Sequence, residues 1–322
     1  MNNVVHWGIL GAGKIASKFA DAFKQVKNAR LIAVASSSID RARAFAEQHQ
    51  IKTAFGSYHE LVTSKNIDVI YVATRNHLHC ETTMLCINHG KNVLCEKPFA
   101  ISASEALSMI KAARDRDLFL MEAMWTRFFP VIQYSKQLVD QGVIGNLLRI
   151  HADFGFSGDS SPTGRLQDPN QGGGSLLDVG VYPVSLTSMF WGTPEKITSN
   201  AIINSTGVDN DCAIILAYPQ SRLAVLSSSI RVNTPKEAFL CGENGMIKIE
   251  CPWWKPSELK IFKNNQLVQH ITMPYEGNGL QFEIEEVNSC IRNGKKESPK
   301  MPLDETLEIM KTLDKIKASW SK

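Results

Sequence analysis

Three short stretches of this 322-residue chain carry side chains able to do chemistry. The first is Cys95-Glu96-Lys97-Pro98, directly after the apolar run at 92–95. In open α/β sheets ligands bind at the carboxyl ends of strands, and an ammonium there can bond a substrate hydroxyl and stabilise charge developing on it. Pro98 restricts the preceding peptide, is compatible with a cis bond, and so directs Lys97. The second stretch runs Gly172-Gly173-Gly174-Ser175-Leu176-Leu177-Asp178-Val179-Gly180-Val181-Tyr182-Pro183. A helix from about Ser175 places Asp178 and Tyr182 on one face at i, i+4. A carboxylate beside a phenol and a lysine can transfer a proton. The three glycines leave room for a ligand or another backbone, while Gly180 and Pro183 predict a kink or an interrupted helix.

The third stretch, Gly11-Ala12-Gly13-Lys14-Ile15-Ala16, is a G-x-G-x-x-A pattern between a strand and a helix. Gly11 permits a tight turn, Gly13 lets a pyrophosphate approach the backbone, and Ala16 allows close helix–strand packing. Lys14 and Ile15 open the helix whose free N–H groups face the phosphates. Each stretch has a plainer reading when taken alone: a loop lysine, a glycine loop capping a core helix with Tyr182 inert, and a structural turn. At the end of the second strand stand Ser36, Ser37 and Ser38, with Asp40 and Arg41 just beyond. No acid occupies the place where an NAD site holds the ribose hydroxyls. Serine hydroxyls and Arg41 suit a 2′-phosphate, which favours NADP(H) over NAD(H). Arg41 and Arg43 decorating an exposed helix is the competing account.

These groups need a frame, and the hydrophobic pattern supplies one. Apolar runs at 4–10, 31–35, 67–73 and 92–95 alternate with helical patterns at 14–26, 40–48, 78–88 and 103–115. That rhythm predicts a doubly wound parallel sheet, a Rossmann domain, over 1–122. Beyond it, a helix at 128–141, a strand at 147–154, a Gly/Ser/Pro/Asp-rich loop at 155–174 and a succession of strands from 197 to 271 precede two terminal helices. This predicts an α+β domain over 123–322 with a large, mostly antiparallel open sheet. Asn244-Gly245 and Asn264-Asn265 read as hairpin turns. The outer face of such a sheet needs a cover, so a homodimer through the C-terminal sheets is expected.

Composition narrows the partners. A formal charge of +3 is too small to point to nucleic acid. No run reaches the roughly 18 apolar residues of a bilayer span. Seven cysteines without a C-x-x-C pair argue against a zinc site or disulfide framework and for reduced thiols. With no signal-peptide pattern at the N-terminus, a cytoplasmic protein acting on a small molecule is expected. His77-x-His79 lacks a third metal ligand, so no metal is expected. Trp253-Trp254 reads as strand-edge packing or a subunit contact, with an exposed recognition patch as the alternative.

GILGAGKIA, VLCEKP, EAMWTRFFP and GGGSLLDVGVYP, in this order, resemble the Gfo/Idh/MocA oxidoreductase family across nearly the whole chain. The last two are similar to its dimeric dihydrodiol dehydrogenase branch. The resemblance implies that Lys97 is the catalytic lysine. It implies that Asp178 and Tyr182 match the family's D-x-x-x-H pair, with the tyrosine that this branch carries. It further implies cofactor contacts at Thr74, Asn76, His79 and Glu96, and places Trp125, Arg127, Phe154 and Arg165 near nicotinamide or substrate. For Trp125 and Phe154 alone, core packing is the better account. The implied activity moves a hydride between a nicotinamide cofactor and a secondary alcohol or carbonyl of a sugar, polyol or cyclic trans-diol. Tyr182 would exchange the hydroxyl proton, Lys97 would stabilise the charge, and Asp178 would orient the pair. A non-catalytic cofactor-binding regulator and a redox-neutral NAD-dependent glycosidase are the rivals; Lys97, Asp178 and Tyr182 together favour the enzyme.

Overall fold

The structure, a computed structural model, describes residues 4–159, 161 and 164–320. Ser160, Pro162 and Thr163 of the expected 155–174 loop lie outside the described residues, as do both chain ends. In the first part of the chain β1 (Val5–Leu10), α1 (Lys14–Ala22), β2 (Ala29–Ala35), α2 (Ile39–His49), β3 (Thr53–Phe55), α3 (Tyr58–Thr63), β4 (Val69–Val72), α4 (His79–Asn88), β5 (Asn92–Glu96), α5 (Ala103–Asp115) and β6 (Leu120–Ala123) follow one another. The strands make one parallel six-stranded sheet in the order β3-β2-β1-β4-β5-β6. This is the doubly wound dinucleotide-binding order. β4 is buried along its whole length, as a strand covered on both faces must be. Serines start three of the helices: Ser38, Ser57 and Ser102 each accept a backbone N–H of the first turn. The hydrophobic pattern missed β3, whose three residues are all half-buried and too few to show a period.

The second part holds α6 (Pro130–Asp140), β7 (Leu147–Gly155), α7 (Val181–Trp191), β8 (Lys196–Ile203), β9 (Asp209–Tyr218), β10 (Arg222–Ser229), β11 (Ala238–Gly242), β12 (Gly245–Ile249), β13 (Glu258–Lys263) and β14 (Gln266–Thr272). Its strands form an eight-stranded sheet, β14-β13-β12-β11-β7-β10-β9-β8. The β7–β10 pair is parallel; every other pair is antiparallel. Alternate residues such as Ile150, Ala152, Ile214, Leu216, Ala224 and Leu226 are buried. α7, buried throughout 181–188, packs against β7 and β10. Asn264 and Asn265, at φ 50° and 60°, make the left-handed two-residue turn between β13 and β14.

Two helices close the chain, α8 (Gln281–Arg292) and α9 (Leu303–Ala318). By packing, the residues through Trp125 form one compact unit with Glu276–Leu307, and Thr126–Tyr275 forms the other with the chain from Glu308 onward. α8 therefore belongs with the parallel sheet, a grouping that a boundary at 122/123 does not include. Its physical reason is visible at Trp7, a fully buried residue of β1. The indole N–H cannot be left unpaired in the core, and Asn288 of α8 accepts it at 2.9 Å. No pattern local to 280–290 announces that bond.

Glu283 of α8 is fully buried and neither of its carboxyl oxygens has a hydrogen-bond partner. Burial first, and then the charge of Glu96, pushes its pKa well above the carboxyl range. A carboxyl raised in the folded state stabilises the fold at low pH and loses that contribution as pH rises toward the folded value. Glu283→Gln is expected to raise Tm by a few degrees at about pH 8 and to give no gain at about pH 4. Calorimetry at both pH values checks this, and parallel pH dependence in the two proteins would refute it.

Candidate active site

The dinucleotide cradle starts where β1 ends. Gly11 has φ +103°, and a Cβ there would lie 2.5 Å from the Ala73 carbonyl oxygen, so only glycine fits this turn against the end of β4. Gly13 is the N-cap of α1, no side chain caps that end, and a Cβ on it would meet nothing within 4 Å. Open space above uncapped N–H groups at a helix's positive end is what a pyrophosphate requires. Lys14 is exposed and Ile15 half-buried beside it, while Ala16 is fully buried under the helix. At the end of β2, Arg41 donates from Nη2 to Ser37 Oγ at 2.8 Å, and Ser36 is buried with its Oγ accepting the Ser38 N–H. Tyr58 lies close enough to Arg41 for that guanidinium to pull its pKa down, although burial, the larger effect, raises it. The residues present fit a nicotinamide dinucleotide.

At the carboxyl end of β5, Glu96 is buried and holds two donors. One oxygen accepts the Tyr71 hydroxyl and the other the Lys97 backbone N–H at 3.1 Å. The Lys97–Pro98 peptide is cis, and Lys97 is half-buried. His79, 1% exposed, directs Nδ1 at the Pro98 carbonyl (2.8 Å) and Nε2 at the Thr74 carbonyl (3.2 Å). Burial pushes its pKa down to about 4 despite those carbonyls, so the ring is neutral near pH 7 with a single N–H. The shorter contact, to Pro98, takes that N–H better. His79 thus spans the loops after β4 and β5, and its ring nitrogens face backbone. Thr74 is half-buried with its hydroxyl 3.2 Å from that of Thr82, and Asn76 is buried at the start of a 3₁₀ turn.

In the second unit the expected helix interruption is a π turn at Leu176–Gly180 that runs into α7. Pro183 then falls in the first turn of α7, where its missing N–H costs least. Such π turns recur at functional sites. Asp178 sits in the turn, 8% exposed, with Arg165 Nη1 at 2.9 Å from its Oδ1. Tyr182, 6% exposed, has the Phe154 ring 5.2 Å from its own, and Phe154 stacks on Trp254 at 3.6 Å and 11°. The structure therefore joins Arg165 to Asp178, and Phe154 and Trp254 to Tyr182. Arg127 is anchored by the backbone and side chain of one residue of α7. It is 2% exposed and donates to Ser185 Oγ (3.1 Å) and O (2.7 Å), which ties it to α7. Trp125 is half-buried at the head of a 3₁₀ turn, Trp125–Phe128. Trp254 is the member of this cluster that the sequence reading did not place beside Phe154; the Trp253-Trp254 pair was its signal. Trp253 is fully buried with its indole N–H on the Asp153 carbonyl at 2.7 Å, which leaves its neighbour to stack on Phe154.

Residues 5–124 match the oxidoreductase family with an NAD-binding Rossmann fold, and residues 132–248 match the GFO/IDH/MocA C-terminal domain. Fold, cradle and matches define an oxidoreductase that binds a nicotinamide dinucleotide. The trans-1,2-dihydrobenzene-1,2-diol dehydrogenase of Xenopus tropicalis is 37% identical over 317 residues, covering 96% of each chain. The human enzyme of that name is 36% identical over 322 residues, covering 97% of this chain and 96% of its own. The chain belongs to the Gfo/Idh/MocA oxidoreductase family. Similar folds occur in a 3-ketoreductase from Actinomadura kijaniata in complex with NADP and TDP-benzene (TM-score 0.86, 22% identity, 98% of both chains). An aldose-aldose oxidoreductase from Caulobacter crescentus complexed with glycerol is another (TM-score 0.88, 23% identity, 98% and 96%). No helix among the described residues is long and apolar enough to cross a membrane.

Proposed function

We propose that the protein is a dehydrogenase or reductase that prefers NADP(H) to NAD(H) and acts on a secondary alcohol or carbonyl of a sugar, polyol or cyclic trans-diol. The observation that carries this reading is the cluster around α7. A buried phenol at 182 is walled by the Phe154–Trp254 stack, and a buried carboxylate at 178 is held by Arg165. An aromatic wall beside a proton-transfer group suits a ring-shaped, partly apolar alcohol. The dihydrodiol dehydrogenases support the same class of substrate.

Gly11, Gly13, Lys14 and Ile15 would hold the pyrophosphate, and Ser36, Ser37 and Arg41 the 2′-phosphate. Thr74, Asn76 and Glu96 supply further contacts, with His79 fixing the loops that carry them. When bound, the nicotinamide supplies the hydride donor or acceptor. Tyr182 Oη, as the phenolate, takes the proton from the substrate hydroxyl in oxidation and, as the phenol so formed, returns it in reduction. Lys97 Nζ stabilises the negative charge that the substrate oxygen carries meanwhile. Asp178, oriented by Arg165, sets the hydrogen bonding around the phenol.

A panel of pentoses, hexoses, inositols and cyclic diols, followed by absorbance of the reduced cofactor with NADP and NAD in parallel, tests the reading. Stoichiometric cofactor binding without turnover across the panel would favour a regulator. Hydrolysis of an aryl glycoside added to the panel, with no net reduced cofactor, would favour a glycosidase. Arg41→Ala is expected to raise KM for NADPH by about 10- to 100-fold, the worth of a charge-assisted phosphate contact, and to change KM for NADH by less than about threefold. Equal changes for both cofactors would remove Arg41 from the 2′-phosphate.

The same reading includes a cytoplasmic location and a homodimer. For the dimer, Ile202 and Ile215 are 54% and 43% exposed on neighbouring strands of the antiparallel sheet. Covering such apolar groups stabilises association. A dimer is expected in sedimentation at micromolar concentration, and Ile215→Asp should shift it toward monomer. A wild-type monomer would end this part of the proposal.

A further inference from the structure

The π turn and α7 carry the proposed proton-transfer pair, yet their own N-terminus has no local cap. Ser175, at the N-cap, has φ −69°, and its side chain makes no capping bond. The cap comes instead from Asp209, the first residue of β9. Its Oδ2 accepts Ser175 Oγ–H at 2.8 Å and the Leu176 N–H at 2.6 Å. Ser175 Oγ also lies 2.9 Å from Ser228 Oγ on β10, so three elements meet at this point.

Two of the three glycines admit this arrangement. Gly174 has φ +103°, and a Cβ on it would stand 2.2 Å from Asp209 Oδ1. A Cβ on Gly173 would stand 2.6 Å from the Leu166 carbonyl and 3.0 Å from that of Arg165. One glycine makes room for the carboxylate. Its neighbour makes room for the backbone turn bearing Arg165, the ion-pair partner of Asp178.

We propose that Asp209 is a positioning residue for Asp178 and Tyr182, a charged cap supplied from β9 that fixes where the catalytic helix begins. The inference rests on the assignment of Asp178 and Tyr182 given above. A negative charge at a helix N-terminus stabilises the first turn through its exposed N–H groups. Asp178 lies two residues beyond the capped N–H, so the register of the cap becomes the register of the site.

The charge is held at a cost in stability. Burial raises the Asp209 pKa to about 6, against the lowering by Leu176 N–H, Ser175 Oγ, its own backbone N–H and, more weakly, Lys317 of α9. Among the described residues the buried Cys212 thiol on β9 also faces it, pushed up by burial first and then by the charge of Asp209. An acid raised in the folded state stabilises below its unfolded pKa and loses that contribution as pH climbs through about 6. At neutral pH an asparagine would keep the Ser175 and Leu176 donors on its amide oxygen without burying a charge, but it offers one acceptor oxygen where the carboxylate offers two, and the residue's own N–H is a third donor. A charged cap at the start of the helix that carries Asp178 and Tyr182 is placed to act on their register.

Asp209→Asn separates the two roles. The expected result is a kcat lower by about 10-fold near pH 7.5, the scale of a small misplacement of catalytic groups. KM for NADPH should be unchanged and Tm equal to or above that of the wild type. The wild-type acid limb of kcat near pH 6 should disappear in this variant. Ser175→Ala, which removes one bond that lowers the carboxyl pKa, should move that limb to higher pH. Unchanged kcat in Asp209→Asn, or a kcat loss matched by a fall in Tm, would overturn the inference. Should Asp209→Asn fail to fold, an unmoved acid limb in Ser175→Ala overturns it and a raised one supports it. Tyr182→Phe, run in parallel, keeps the cases apart. Activity in that variant sinks the site assignment itself, while loss there beside an indifferent Asp209→Asn sinks only the cap.

Discussion

Lys97→Met is expected to lower kcat/KM by about 10³-fold or more while leaving the affinity for NADPH within about threefold. Methionine keeps the length and flexibility of the lysine stem and removes only the ammonium. The backbone at 97 is held by groups that the substitution does not touch. Glu96 accepts its N–H at 3.1 Å, and His79 faces the Pro98 carbonyl at 2.8 Å. The lost rate therefore reports the charge and not a moved loop. Steady-state kinetics in both directions, with a fluorescence titration of NADPH, makes the measurement. Turnover near the wild-type level would remove Lys97 from the chemistry.

Tyr182→Phe is expected to lower kcat by about 10²- to 10⁴-fold, the range for loss of a positioned proton-transfer group. The phenyl ring preserves the contact with Phe154, 5.2 Å between centroids, so folding and the aromatic wall should survive. Tm within about a degree of the wild type, together with lost turnover, would confine the effect to the hydroxyl. If Tyr182 and Lys97 serve one proton transfer, the double variant should be scarcely slower than the slower single one, because groups that act as a unit are not additive. Fully additive losses would assign them to separate steps.

Much of this was legible before any coordinates. A helix of period 3.6 or a strand of period 2 writes its pattern into neighbouring residues. The glycine turn after β1 and the lysine after β5 are likewise signals contained within a few residues. Those local signals determined the parallel sheet, the phosphate cradle, Lys97 at a strand end and the interruption ahead of α7. The resemblance added a cofactor contact at His79 and a place near nicotinamide or substrate for Arg127; packing adds that His79 faces two backbone carbonyls and that Arg127 donates to Ser185.

Tertiary structure alone decided which partners complete each group. Arg165 on Asp178, Trp254 behind Phe154, Asp209 beneath Ser175 and Asn288 on Trp7 are each fixed by a fold that must satisfy buried polar atoms and fill space. Such pairings join residues 13 to 281 positions apart, taking the nearest, Arg165 with Asp178, and the farthest, Trp7 with Asn288. No periodicity in the chain encodes them. The sequence determined the elements and the reactive residues they carry, because those are local. The orientation and charge of those residues waited for the packing, because distant side chains set both.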